Sequence, residues 1–124
     1  MPVVAVEYPF RDRLLLKVTG SVDAAEMRQV IASHRGGANR LTPILFDLTE
    51  ASLHVSAADV ASLAETTALE MRRAPLGPVA LIATNDELFG LGRMYQSHSA
   101  ASGRSQVGVF RDQGAAERWL QTLG

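Results

Sequence analysis

Three histidines, thirteen carboxylates and a scatter of serines are the groups in this chain that could bind a metal, move a proton or attack a substrate. A metal site needs ligands spaced so that one element or loop converges them on a point. His34, His54 and His98 lie far apart, with no His-Glu-x-x-His or His-x-His among them. There is no cysteine, which removes disulfides, thiolate ligands and thiol nucleophiles together. A serine nucleophile on a strand-to-helix elbow would sit in Gly-x-Ser-x-Gly, and the chain lacks that motif. Its serines fall instead mainly at helix caps and in loops. Phosphate binding fares no better. Lys17 follows no glycine-rich loop, and the Gly-x-Gly of Phe89-Gly90-Leu91-Gly92-Arg93 falls inside a predicted helix rather than ahead of it. Asp86 and Glu87 at that helix start would repel a phosphate, so the two glycines are read as points of close packing. No catalytic residue, metal ligand or cofactor site is expected, and the chain is read as a protein that is not an enzyme.

The elements that would position any site can be read from pattern. Val3 to Tyr8 and Arg13 to Val18 are rich in strand formers, and the gap from Pro9 to Asp12 suits a hairpin, with Thr19-Gly20 ending the second strand. Asp23-Ala24-Ala25-Glu26 is a capping-box sequence, in which the side chains of the cap and of the third residue after it satisfy each other's amides. Met27, Val30, Ile31 and His34 follow at helical spacing, and Gly36-Gly37 stops the helix. Pro43 to Leu48 is an unbroken apolar run, as for a strand covered on both faces. A second capping box, Ser56-Ala57-Ala58-Asp59, opens a helix with Val60, Leu63, Ala64, Thr67 and Met71 on one side and Arg72-Arg73 at its end. Val79 to Ala83 is a further strand, Asn85 caps a helix carrying Leu88, Leu91, Gly92 and Tyr95, and that helix fades from Ser99 to Gly103. Gln106 to Phe110 is the last strand, and Asp112 caps a final helix with Ala116, Trp119, Leu120 and Leu123. A hairpin followed by helix–strand alternation predicts an α/β domain over residues 1–124, with a mixed, largely parallel five-stranded sheet and four helices.

Composition narrows the partners. The chain has 124 residues, 47% hydrophobic and 20% charged, which fits one globular domain with its own core. Twelve basic against thirteen acidic side chains leave a formal charge of −1, so no overall field recruits nucleic acid or an anionic membrane surface. All the basic residues but Lys17 are arginine, yet they are spread along the chain rather than gathered with aromatics. No apolar run reaches the ~18–20 residues of a membrane span, and Met1-Pro2-Val3-Val4 lacks the basic region of a signal peptide. A cytoplasmic protein without nucleic-acid binding or stable membrane insertion is expected.

Val18-Thr19-Gly20-Ser21-Val22-Asp23-Ala24-Ala25 resembles the strand–Thr-Gly-x-x-Asp–helix entry of STAS domains, the fold of bacterial anti-sigma-factor antagonists of the SpoIIAA type. Ile44-Leu45-Phe46-Asp47-Leu48-Thr49 is similar to that family's central strand ending in Asp-Leu-Ser/Thr. Val79 to Ala83, Leu88 to Tyr95, Val109 to Asp112 and Ala115 to Leu120 resemble the matching segments of SpoIIAA-like (STAS/CRAL-TRIO-like) small bacterial proteins. The resemblance implies a STAS-like fold over nearly the whole chain. It also implies a site. In the antagonists a serine opening the helix after the central strand is phosphorylated to block partner binding, and that position falls on Ser56. Val55 stands where those proteins carry aspartate, and Ala57-Ala58-Asp59 replaces their Ser-Gly-Leu. Ser56 is therefore a candidate phospho-switch or, more simply, a helix cap.

Two roles are carried forward. The first is a non-enzymatic STAS-like regulatory or protein-interaction module, with an unidentified protein partner or a second copy of itself. The alternative is a carrier of a small apolar, lipid-like ligand. Phe89, Leu91, Met94 and Tyr95 are the candidate apolar surface or pocket, since they surround most of one helix. A helix apolar all round needs cover on more than one side, and this predicts a two-fold homodimer in which Gly90 and Gly92 admit a partner backbone.

Overall fold

Residues 4–9, 13–34, 41–73, 75–101 and 106–123 are described by a computed structural model, with side chains from 13–33, 41–73, 75–100 and 106–123. Their elements run β1 (Val4–Pro9), β2 (Leu14–Asp23), α1 (Ala24–His34), β3 (Ile44–His54), α2 (Ala57–Arg73), β4 (Val79–Ile82), α3 (Asp86–Ala101), β5 (Val107–Phe110) and α4 (Gln113–Leu123). Every helix start is capped by the side chain its sequence offers. Asp23 and Glu26 exchange bonds at 2.8 and 3.0 Å, and Ser56 and Asp59 do the same at 3.1 and 2.9 Å. Asn85 Oδ1 accepts the Leu88 amide at 2.8 Å, and Asp112 Oδ1 accepts that of Ala115 at 2.8 Å. Each such cap is worth about 1 kcal/mol and fixes where its helix begins.

The strands form one sheet in the order β1-β2-β3-β4-β5. β1 is antiparallel to β2, and the four strands β2 to β5 are mutually parallel. Each crossover moves one strand in the same direction, so right-handed connections place successive helices on one face. That face carries Leu14, Leu16 and Val18 of β2, Ile44, Phe46 and Leu48 of β3, and Val79 and Leu81 of β4, beneath Met27, Leu63 and Leu88 of α1, α2 and α3. The opposite face is covered differently. Leu15, Leu45, Ala80 and Ile82 pack under Ala116 and Leu120 of α4, flanked by Phe110 and Trp119, whose rings lie 5.5 Å apart. A partly buried Arg13–Glu117 pair, with Arg13 Nη2 donating to Glu117 Oε2 at 2.9 Å, ties α4 to the start of β2.

β3 contains a bulge that decides which residues reach the helix face. Lys17 pairs with Asp47, but Thr19 pairs with Glu50, so Leu48 and Thr49 together face Val18. The Thr49 amide and hydroxyl both donate to Asp47 Oδ1, at 3.0 and 2.6 Å, and Asp47 is only 8% exposed. Because side chains alternate along a strand, one extra residue reverses the parity. Ile44, Phe46 and Leu48 face the helices before the bulge, and Ala51 and Leu53 do so after it.

Two strands run further than their sequence pattern predicts. β2 does not stop at Thr19-Gly20 but continues to Asp23, with Gly20 inside it at φ +88°, a conformation only glycine adopts cheaply. β3 does not stop at Leu48 but reaches His54, because the bulge lets its second half pair with that extension. The Phe10 to Asp12 turn, the Gly36-Gly37 stop and residues 102–105 lie outside the described residues. α3 passes through Ser99 and ends at Ala101.

Thr49→Val keeps the side-chain shape but removes the hydroxyl donor from a buried carboxylate. A loss of ~1.5–3 kcal/mol is expected in urea denaturation, because bonds to charged groups fall in that range. Thr49→Ser should recover most of it. Equal stability of Val and wild type at this position would show that the bulge does not depend on the side-chain bond.

Candidate functional site

Between the sheet and its three covering helices lies an apolar cavity of about 70 Å³. Its floor is Phe46 and Leu48 of β3 with Val79 and Leu81 of β4. Met27 and Ile31, one turn apart, bring α1 to it; Val60, Leu63 and Thr67 bring α2 at i, i+3 and i+7. α3 contributes Leu88, Leu91, Gly92 and Tyr95, and the end of β3 with its connector contributes Leu53 and Val55. Among the described residues no carboxylate, imidazole, amine or guanidinium lines it. The lining hydroxyls, Thr67 Oγ1 and Tyr95 OH, lie 2.9 Å from each other, and Thr67 also donates to the Leu63 carbonyl at 3.1 Å. A polar pair satisfied in this way adds little cost to an otherwise oily enclosure.

A second space of about 190 Å³ lies between α1 and α2 and shares Ile31, Leu63 and Thr67 with the first. Its remaining wall is mixed, with Arg28, Thr66 and Glu70 beside Ala32 and Leu76. The two spaces together grade from apolar to polar. At the other end of the cavity, the connector of residues 55 and 56 belongs to neither strand nor helix. Val55 faces the cavity there, while the next residue, Ser56, is exposed with its hydroxyl on the Asp59 amide.

The four apolar residues expected on α3 take different places. Leu91 and Tyr95 line the cavity. Phe89 packs against the edge of the core and is covered by Arg111, whose guanidinium carbon lies 4.0 Å above its ring. Arg111 is itself held by the Thr84 carbonyl at 3.1 Å and Asp86 at 2.9 Å. Met94 is half-buried and outside the cavity lining. The apolar circumference of α3 is thus met largely from within the chain, by α2, β5 and Arg111. Gly92 serves the same internal contact: a Cβ there would come within 2.9 Å of Val109 Cγ1. Gly90 alone of the pair faces open space. Leu53, Val55 and Ile31 were not among the sequence candidates, although Ala51, Leu53 and Val55 alternate with polar residues as a continuing strand would.

No protein-family model matches the chain, and no curated protein sequence matches it significantly. Among solved structures it is similar to an uncharacterized protein of the DUF3478 family with a SpoIIAA-like fold, from Shewanella loihica PV-4. The two superpose with a TM-score of 0.60 at 18% sequence identity, over 96% of this chain and 94% of the other. This chain has a SpoIIAA-like fold. At that identity the likeness is one of architecture. Within the SpoIIAA-like frame Ser56 opens the helix after the central strand, and the geometry there is that of a reciprocal cap. His54 and His98 are exposed and separate, the His34 side chain lies outside the described ones, and among the described residues no cluster of three or more ligands could hold a metal. No described helix is long and apolar enough to cross a membrane.

The two glycines of α3 should respond oppositely to alanine. Gly90→Ala adds a methyl to open space in a helix and is expected to stabilise by up to ~1 kcal/mol. Gly92→Ala forces the helix off Val109 and is expected to destabilise by ~1–3 kcal/mol. Thermal unfolding of the two variants checks the pair; a stabilising Gly92→Ala would mean that α3 stands further from β5.

Proposed function

We propose that this protein is a non-enzymatic binding module of STAS type whose cavity takes the apolar end of a small amphiphile. The observation that supports it most directly is the cavity lining, which among the described residues is apolar except for two hydroxyls bonded to each other. Such a surface offers no poised acid, base or nucleophile, and it favours an apolar guest over water. Volume narrows the guest. A dry cavity of roughly 150 Å³ holds a benzene ring, so about 70 Å³ accommodates only a few carbons. The rest of a longer chain would lie in the adjoining space, with its polar head beside Arg28, Thr66 and Glu70.

A second role, docking of a protein partner on the rim around Ser56, is favoured by the exposure of that residue at a capped helix start. Self-association belongs to the same proposal, and the surface left for it on α3 is Gly90 with Met94.

Octanol, an unbranched chain with one small polar head, tests the ligand role. In methyl-resolved NMR it should shift Leu63, Leu91 and Val60 in a saturable titration. Leu91→Trp, which fills the cavity from α3, should weaken binding at least about tenfold, that is by ~1.4 kcal/mol or more, while retaining cooperative unfolding. Shifts confined to other surfaces, or undiminished binding by folded Leu91→Trp, would contradict the proposal.

A further inference from the structure

Ser56 sits between two residues that line the cavity, Val55 before it and Val60 in the first turn after it. Three bonds hold that turn: the Asp59 amide on Ser56 Oγ at 3.1 Å, the Ser56 amide on Asp59 Oδ2 at 2.9 Å, and the Val60 amide on the Ser56 carbonyl at 3.0 Å. The cap as built therefore has Val55 turned into the cavity. The walls differ in how firmly they are fixed. Phe46 and Leu81 belong to adjacent central strands, and α2 and α3 are joined by the Thr67–Tyr95 bond. The connector has no strand or helix pairing of its own, and Val55 is its half-buried plug. A guest that enters past Ile31 and pushes more of its chain into this cavity than about 70 Å³ holds displaces a wall, and the connector is the wall that yields at the cost of a single cap.

We propose that the cavity and the Ser56 cap are coupled, so that an amphiphile chain reaching Val55 pushes it outward, opens the capping bonds and changes the rim where α2 begins. The inference rests on the cavity being a ligand site and adds how its occupancy is reported at the surface. No other element need move. Coupling of this kind is reciprocal: if the ligand weakens the cap, the cap weakens ligand binding, and loss of the cap raises ligand affinity.

Octanol binding and amide hydrogen exchange, measured together on the whole chain, separate the possibilities. With saturating octanol the Asp59 and Val60 amides should exchange about fivefold faster, while amides in β3 and β4 stay protected. Ser56→Ala, which removes the side-chain acceptor, should bind octanol about fivefold more tightly, the equivalent of a cap worth ~1 kcal/mol. Val55→Ala, which withdraws the plug, should bind octanol without altering Asp59 exchange. Octanol shifts at Leu91 with unchanged Asp59 exchange and unchanged affinity in Ser56→Ala would overturn the coupling and leave the ligand site standing. Absence of any Leu91 shift would overturn both.

Discussion

The buried Asp47 carboxylate, gripped by the amide and hydroxyl of Thr49, is the constraint on which the upper half of the molecule depends. It closes a one-residue bulge in the central strand and so reverses which side chains face the helices. Without it, Ala51 and Leu53 would turn to the opposite face and Ser52 would point at the core. With it, the β2–β3 ribbon continues past the end of β4 and carries Leu53 and Val55 over the cavity. Burying a charged group to set a register is costly unless its oxygens are bonded, and two donors on one oxygen supply that compensation.

The cavity persists because the elements around it are held by other contacts. Gly92 lets α3 approach β5 until Val109 fills the space of a missing Cβ. The Thr67–Tyr95 bond sets the distance between α2 and α3, and Gln96 adds a bond from α3 to the Val107 carbonyl at 2.9 Å. Leu91 and Leu63 therefore cannot collapse inward without breaking one of these.

Much of the architecture was legible in the residues. The four caps at Asp23, Ser56, Asn85 and Asp112 locate the helix starts by chemistry that is local, a side-chain oxygen within three residues of an orphan amide. The order of strands and helices follows from periodicity, and the SpoIIAA-like fold from short motifs in the second half of β2, the first half of β3 and the segments from β4 to α4. The bulge was not legible: the apolar run stops at Leu48 and the alternation resumes at Ala51 in the opposite parity, and only the pairing with β2 joins the two halves into one strand. Leu91 and Tyr95 could be placed on an apolar helix face, but that face cannot show which neighbour it meets. Phe89 illustrates the limit: its cover is Arg111, more than twenty positions away and brought near by the β4–β5 register.

The cavity itself is the claim from which the binding role follows, and xenon reports on it without presuming any ligand. Xenon enters dry apolar cavities and is excluded from hydrated or filled ones. Crystals pressurised with xenon should show one strong site enclosed by Phe46, Leu63 and Leu91, beside the Thr67–Tyr95 pair. Ordered water in that position, or side chains packed across it with xenon elsewhere, would contradict the account.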